Sequence, residues 1–239
     1  MEGFELGRLR KGEIVGGLLY WPMYLLGSQI LAVLLLRALG LEQDPGGVRL
    51  NFAFEAINLV CLTAIFFRYL RDQFRVLLLR GWRLFIDVIK HYFIYFCLSY
   101  AVSMAVTFLA LLLRVTYTNA NQEAVQDALT AVPWASVLMV CVLAPPAEEL
   151  LCRGLIFCGL YRRSRFWAYA ASMLAFSLIH VYASAFGQSL GVSLLSLLLY
   201  LPAGYVMARA YERSGTIWTS ILLHSTINLL SLLLQGLME

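Results

Sequence analysis

Long apolar runs, interrupted by short polar or basic segments, dominate the chain. Seven stretches of roughly 20 residues or more could cross a bilayer as helices: about 14–36, 52–70, 88–113, 129–160, 166–185, 189–208 and 216–236. The fourth is too long for one straight span and contains Pro133, Pro145 and Pro146. It predicts a kinked, tilted or broken helix, because proline lacks a backbone donor and clashes with the preceding turn. Between the second and third runs, RDQFRVLLLRGWRLFIDVIK alternates arginine with Leu, Val, Phe and Trp. That pattern predicts a basic helix lying in the membrane interface. The fold expected is an all-α polytopic transmembrane bundle of about seven spans. Residues 1–128 would supply the N-terminal spans and interfacial helix, and 129–239 a core, within one membrane domain. No internal repeat, low-complexity tract or long polar insertion interrupts the pattern.

Composition agrees. Of 239 residues, 61% are hydrophobic and 13% charged, and the mean hydropathy is +0.77. A soluble domain is nearer half apolar and a quarter charged, so a soluble enzyme, a disordered chain and a nucleic-acid-binding domain are excluded. The cysteines, Cys61, Cys97, Cys141, Cys152 and Cys158, lie in apolar stretches without a CxxC pair, which speaks against a disulfide framework. The mixed-charge start, MEGFELGRLRKGE, is followed by an apolar run without a small-residue cleavage site, so that run is expected to be retained. Net charge is a modest +4, but its distribution is uneven. With the N-terminus cytoplasmic, fifteen Lys and Arg fall on the inner side and three (Arg37, Arg49 and Arg114) on the outer side. By the positive-inside rule this predicts seven spans with the N-terminus in and the C-terminus out.

An ionisable side chain at mid-bilayer costs several kcal/mol unless paired or hydrated. Three segments carry such groups: APPAEELLCRG (144–154), FSLIH (176–180) and HSTIN (224–228). The basic run YRRSR at 161–165 marks the turn of a helical hairpin. Glu148 precedes Arg162 by 14 residues and His180 follows Arg165 by 15, which puts both about 20 Å below one surface. His224 follows Arg213 by 11 residues, about 16 Å down. Three helices therefore deliver polar groups to one layer. Glu149 and Arg153 are spaced i,i+4 for an ion pair, with Glu148 rotated about 100° away. His224 and Asn228 share a face on the same spacing, and Phe176 lies one turn before His180.

In order, these segments read EExxxR (Glu148, Glu149, Arg153), FxxxH (Phe176, His180) and HxxxN (His224, Asn228), and RSGTIWTSILLHSTIN leads into the last. The pattern resembles the CAAX-protease and bacteriocin-processing (Abi) family of intramembrane metalloproteases, which includes the type II CAAX prenyl endopeptidases. The resemblance covers about residues 130–235. It implies an intramembrane endopeptidase in a bacterial plasma membrane, in contact with membrane lipids, that cuts near the C-terminus of a membrane-presented protein or peptide, prenylated or plain. It implies no nucleic-acid partner.

Peptide hydrolysis needs an activated water, a stabiliser for the oxyanion and a proton donor for the leaving amine. Glu148 is the candidate base, with His180 sharing the water. His224 and Asn228 could donate to the oxyanion, and Glu149 with Arg153 would hold the first motif in place. The resemblance implies the same roles. Two histidines and a glutamate are equally a catalytic zinc set, here His180, His224 and Glu148. A glutamate-activated water and a zinc ion are both open on the sequence, which lacks a local HExxH. The cavity is expected to open toward the cytoplasmic side. Bland readings apply elsewhere: His91 as an interhelical or interfacial group, Glu55 as a packing partner in preference to a rim residue of the cavity, and the basic segment Arg68–Lys90 as a topology determinant near anionic lipid. The alternative function is a bacteriocin self-immunity or scaffold protein of the same fold. A proton-relaying transporter is weaker because no repeat is present.

Overall fold

The computed structural model describes residues 6–41, 44, 47–115, 119–185 and 188–236. Among them nine helices occur and no strand: α1 (Lys11–Ala38), α2 (Val48–Ile65), α3 (Phe67–Arg80), α4 (Arg83–Leu113), α5 (Ala120–Ala131), α6 (Pro133–Tyr161), α7 (Arg165–Ala185), α8 (Leu190–Ser214) and α9 (Ile217–Gly236). Six of these, α1, α2, α4, α6, α8 and α9, are long and apolar enough to cross a membrane. Helix α7 has 21 residues but carries Ser172, Ser177 and His180 within it, and the expected count of about seven is compatible with this bundle. The outward placement expected of Glu239 lies outside the described residues.

Alternating direction sorts the helix ends into two poles. The basic pole holds the start of α1, helix α3, the α6–α7 turn and the α8–α9 turn. The opposite pole holds the α1–α2 connection, α5 and the ends of α7 and α9. Side chains of α4, among them Phe85, Phe93, Tyr100, Met104 and Phe108, face outward where lipid would lie. Helix α6 is central, with 67% of its most apolar window buried against 11% for α4.

The fourth apolar run, expected to be kinked, tilted or broken, breaks at Val132, between α5 and Pro133, the first residue of α6. From there α6 is continuous to Tyr161, with Pro145 and Pro146 between turns of wider, π-type register at Met139–Leu143 and Leu150–Phe157. Such turns shift carbonyls out of the regular ladder and are frequent at functional sites. Ser172 of α7 donates to one of them, the Cys152 carbonyl, at 2.9 Å.

The interfacial segment also differs from expectation. Gly81 (φ 53°) ends α3, and the chain from Arg83 onward already belongs to the spanning helix α4. Helix α3 does more than mark topology. Gln73 accepts from the Ile217 amide at 2.8 Å, and its own carbonyl accepts from Thr216 Oγ1 at 3.1 Å. Arg80 donates to the carbonyls of Arg213 (2.9 Å) and Ser214 (3.0 Å). Helix ends leave backbone donors and acceptors unpaired, and α3 satisfies those at the end of α8 and the start of α9. Glu13 fixes α3 in turn, accepting from the amides of Arg10 (2.7 Å) and Tyr69 (2.9 Å). Glu212 closes the α6–α7 turn, accepting from Arg165 Nη2 (2.8 Å), Tyr161 (2.7 Å) and Tyr169 (2.7 Å). These contacts set the height of α6, α7 and α9, and hence of the polar groups they carry.

Candidate active site

Those heights coincide. Glu148 on α6, His180 on α7 and His224 on α9 each offer one ligand atom, and the three atoms lie within 4.8 Å of one another. Glu148 Oε2 is 3.6 Å from His180 Nε2 and 3.8 Å from His224 Nε2. It has no hydrogen-bond partner among the described residues.

The other ring nitrogens fix the tautomers. His180 Nδ1 lies 2.9 Å from the Phe176 carbonyl, one turn back on α7. A carbonyl only accepts, so Nδ1 carries the proton. His224 Nδ1 lies 3.1 Å from Glu149 Oε1 and donates to that carboxylate. Neutral imidazoles held this way present Nε2 lone pairs to the carboxylate Oε2. Three acceptors thus converge with no donor between them, at separations too long for direct hydrogen bonds. Such a space suits a water, a proton or a cation. Imidazoles whose far nitrogens are tied to a carboxylate or a backbone carbonyl are also the usual form of metal-binding histidines. The donor set therefore fits a divalent ion of the zinc type.

Glu149 serves a different purpose from its neighbour. It is fully buried and accepts from Arg153 Nη1 at 2.7 Å, from His224 and from Ser220 Oγ. Arg153, equally buried, donates through Nη2 to the Gly204 carbonyl at 2.9 Å and packs its guanidinium 4.7 Å from the Phe176 ring centroid. Gly204 lies close against α7: a Cβ there would sit 3.1 Å from the Met173 Cα, tighter than an ordinary contact. That close approach of α8 to α7 places the carbonyl that Arg153 uses. Phe176 packs against both imidazoles, its centroid 4.4 Å from that of His180 and 5.4 Å from that of His224.

Asn228, one turn beyond His224, lines the same cavity, and its Nδ2 donates to the Val140 carbonyl at 2.8 Å. In the widened turn that carbonyl would look for the amide of residue 145, which is a proline without one. Asn228 supplies the missing hydrogen bond and keeps a second N–H for other use.

The structure thus gathers Glu148, Glu149, Arg153, His180, His224, Asn228 and Phe176. His91 stands apart, bonded through Nδ1 to the Asp87 carbonyl at 2.7 Å. Several neighbours escaped the sequence reading. Ser220 precedes His224 by four residues and shares its face, a spacing that could have revealed it. Tyr200 stacks on His180 at 4.6 Å and donates to Asn119 Oδ1, the cap of α5, at 3.1 Å; no local signal announces it. Glu55, expected to be a packing partner, lines the cavity instead.

That cavity encloses about 350 Å³. It starts at Glu148, His224 and Met207 near mid-depth and runs past Tyr182, Glu55, Asn51 and Ser231 to Asn121 and Gln122 of α5. It therefore reaches the pole opposite the basic loops. If those loops face the cytoplasm, the mouth faces outward, which corrects the expected cytoplasmic opening. Extending from mid-depth toward basic Arg162 and Arg165, the chain is instead tightly packed, with Phe157 and Tyr211 fully buried.

Fold and site together define a multi-pass membrane protein with a buried Glu–His–His centre. Residues 130–230 match the family model described as Type II CAAX prenyl endopeptidase Rce1-like, so the resemblance read from the three motifs holds. The chain is also 29% identical over 116 residues to a Bacillus subtilis (strain 168) protein named "Putative membrane peptidase YdiL", a stretch covering 48% of this chain and 43% of that relative. The chain thus spans less than half the length of that curated relative. No solved structure matches.

Proposed function

We propose that the protein is an intramembrane endopeptidase of the CAAX type, which hydrolyses a peptide bond in a membrane-presented protein or peptide. The observation that carries this reading is the convergence of Glu148, His180 and His224 on one shared space within a cavity of about 350 Å³. A binding or immunity protein would need neither an unpartnered carboxylate at that depth nor two imidazoles aimed at it.

Glu148, His180 and His224 would hold a zinc ion, which when bound makes water acidic and polarises a carbonyl oxygen. Where the centre holds no ion, Glu148 Oε2 accepts the proton of the attacking water and later passes it to the leaving amine. His180 is held by the Phe176 carbonyl so that Nε2 points at the water. His224 is held by Glu149 through its Nδ1–H, so that its Nε2 faces the same space. The free N–H of Asn228 faces the negative charge that develops on the scissile carbonyl oxygen. Arg153 and Ser220 keep Glu149 ionised and immobile, so the ring does not reorient during the reaction.

The test is incubation of the purified protein with a panel of plain and prenylated peptides, with and without chelator, with products read by mass spectrometry. Discrete cleavage that is lost in Glu148→Gln supports the reading. A panel left intact by folded protein, metal-loaded and metal-free alike, would favour the immunity or scaffold role.

A further inference from the structure

Besides Glu148, the cavity contains a second carboxylate that the hydrolytic centre does not use. Glu55 lies on α2, which packs against the stretch of α6 that carries Glu148, and lines the same cavity. Its Oε2 is screened from solvent and has no hydrogen-bond partner among the described residues. The charge that acts on it is that of Glu148, a like charge. Neither lysine nor arginine lines the cavity. Arg153, which stands behind the centre, is already paired with Glu149.

A buried carboxylate without a partner is costly, and a second one in the same cavity adds to the cost. A cationic group entering the cavity would find two carboxyl groups to pair with, and would hold them ionised. The walls add to this. Tyr24, Phe54, Tyr95 and Tyr182 line the same space, and Tyr24 and Phe54 lie with ring centroids 5.6 Å apart. Aromatic rings beside a carboxylate are the chemistry that recognises an ammonium or guanidinium group, through ring quadrupoles and a charge-assisted hydrogen bond.

We infer that Glu55 and the surrounding aromatic rings form a subsite for a cationic group of the substrate, a lysine or arginine side chain or a free amino terminus. The subsite lies in the same cavity as Glu148, so the cation precedes the scissile bond or trails it by a fixed number of residues. The protein then selects among membrane-presented peptides by charge at one position. This rests on the peptidase reading for the peptide nature of the ligand, and its test is chosen to read binding separately from cleavage.

The experiment uses the full chain in lipid nanodiscs carrying Glu148→Gln, so that bound peptide is not consumed. The probes are fluorescent alanine-rich octapeptides with one lysine moved through successive positions, each paired with a norleucine twin of equal length and bulk. At one position lysine should bind about tenfold tighter than norleucine, the size of one charge-assisted hydrogen bond in apolar surroundings. Adding Glu55→Gln should bring that ratio to about one. A ratio near one at every position before Glu55 is altered overturns the inference without involving a variant that could misfold. A tenfold ratio that persists in Glu55→Gln also overturns it. If the wild-type protein cleaves no peptide while the lysine preference and its dependence on Glu55 are seen, the subsite stands and the peptidase reading falls.

Discussion

His224 donates through Nδ1 to Glu149 at 3.1 Å while its Nε2 faces Glu148 at 3.8 Å. One ring thus joins two adjacent glutamates that have separate tasks. Glu149 is held by Arg153 and Ser220 and orients the ring; Glu148 is left without a partner at the reacting space.

The glutamates should therefore fail in different ways. Glu148→Ala should abolish cleavage and leave a protein that extracts from the membrane in normal yield. Glu149→Ala strands a fully buried arginine, which typically costs about 3–5 kcal/mol, so folded yield and thermal stability should both fall. Size-exclusion profiles and melting curves of the two variants check this, and equal stability would separate Glu149 from its structural role.

Asn228→Ala removes the donor to the Val140 carbonyl beside Pro145. An orphaned buried acceptor costs about 1–3 kcal/mol, so the variant should melt earlier as well as lose activity. A variant with unchanged melting temperature but no activity would make Asn228 an oxyanion donor alone.

Gly204→Ala should act at a distance from the reacting atoms. The added methyl meets the Met173 backbone at 3.1 Å and separates α8 from α7, which draws the Gly204 carbonyl away from Arg153. Overpacking of this kind costs about 1–3 kcal/mol, visible as a lower melting temperature together with a reduced kcat. Wild-type values for both would show that the close approach is not needed.

Metal content can be read without activity. Purified protein should carry about one zinc per chain, by elemental analysis, if the three convergent acceptors hold it as their chemistry allows. The double variant His180→Ala, His224→Ala should carry none. Equal metal in both would place any zinc elsewhere.

Much of this site was legible because its logic is local. The i,i+4 spacing of Glu149 with Arg153 and of His224 with Asn228 lies in the sequence, and counting from the basic turns placed Glu148 and His180 at one depth. What sequence could not supply depends on which helices face one another. Ser220 became part of the site because Glu149 packs against α9, and Tyr200 because α8 lies beside His180. The sequence leaves Glu55 between a packing partner and a rim residue of the cavity, and the placement of α2 decides for the cavity. The opening direction was misjudged because depth from one surface says nothing about which pole is packed shut. The prolines predict a kinked, tilted or broken helix; the break falls at Val132 before Pro133, while widened turns and the Asn228 amide accommodate Pro145 and Pro146. Helix α3 showed its charge pattern but not its capping of α8 and α9, since those partners lie more than 130 residues away.

The most direct test of the central claim, hydrolysis by water activated at Glu148, is cleavage of a susceptible peptide in water enriched in oxygen-18. The account predicts that the new C-terminal carboxylate carries one heavy oxygen in a single turnover, and that the folded Glu148→Gln protein releases no product. Product formed by Glu148→Gln at the wild-type rate, or a new terminus without heavy oxygen, would contradict it.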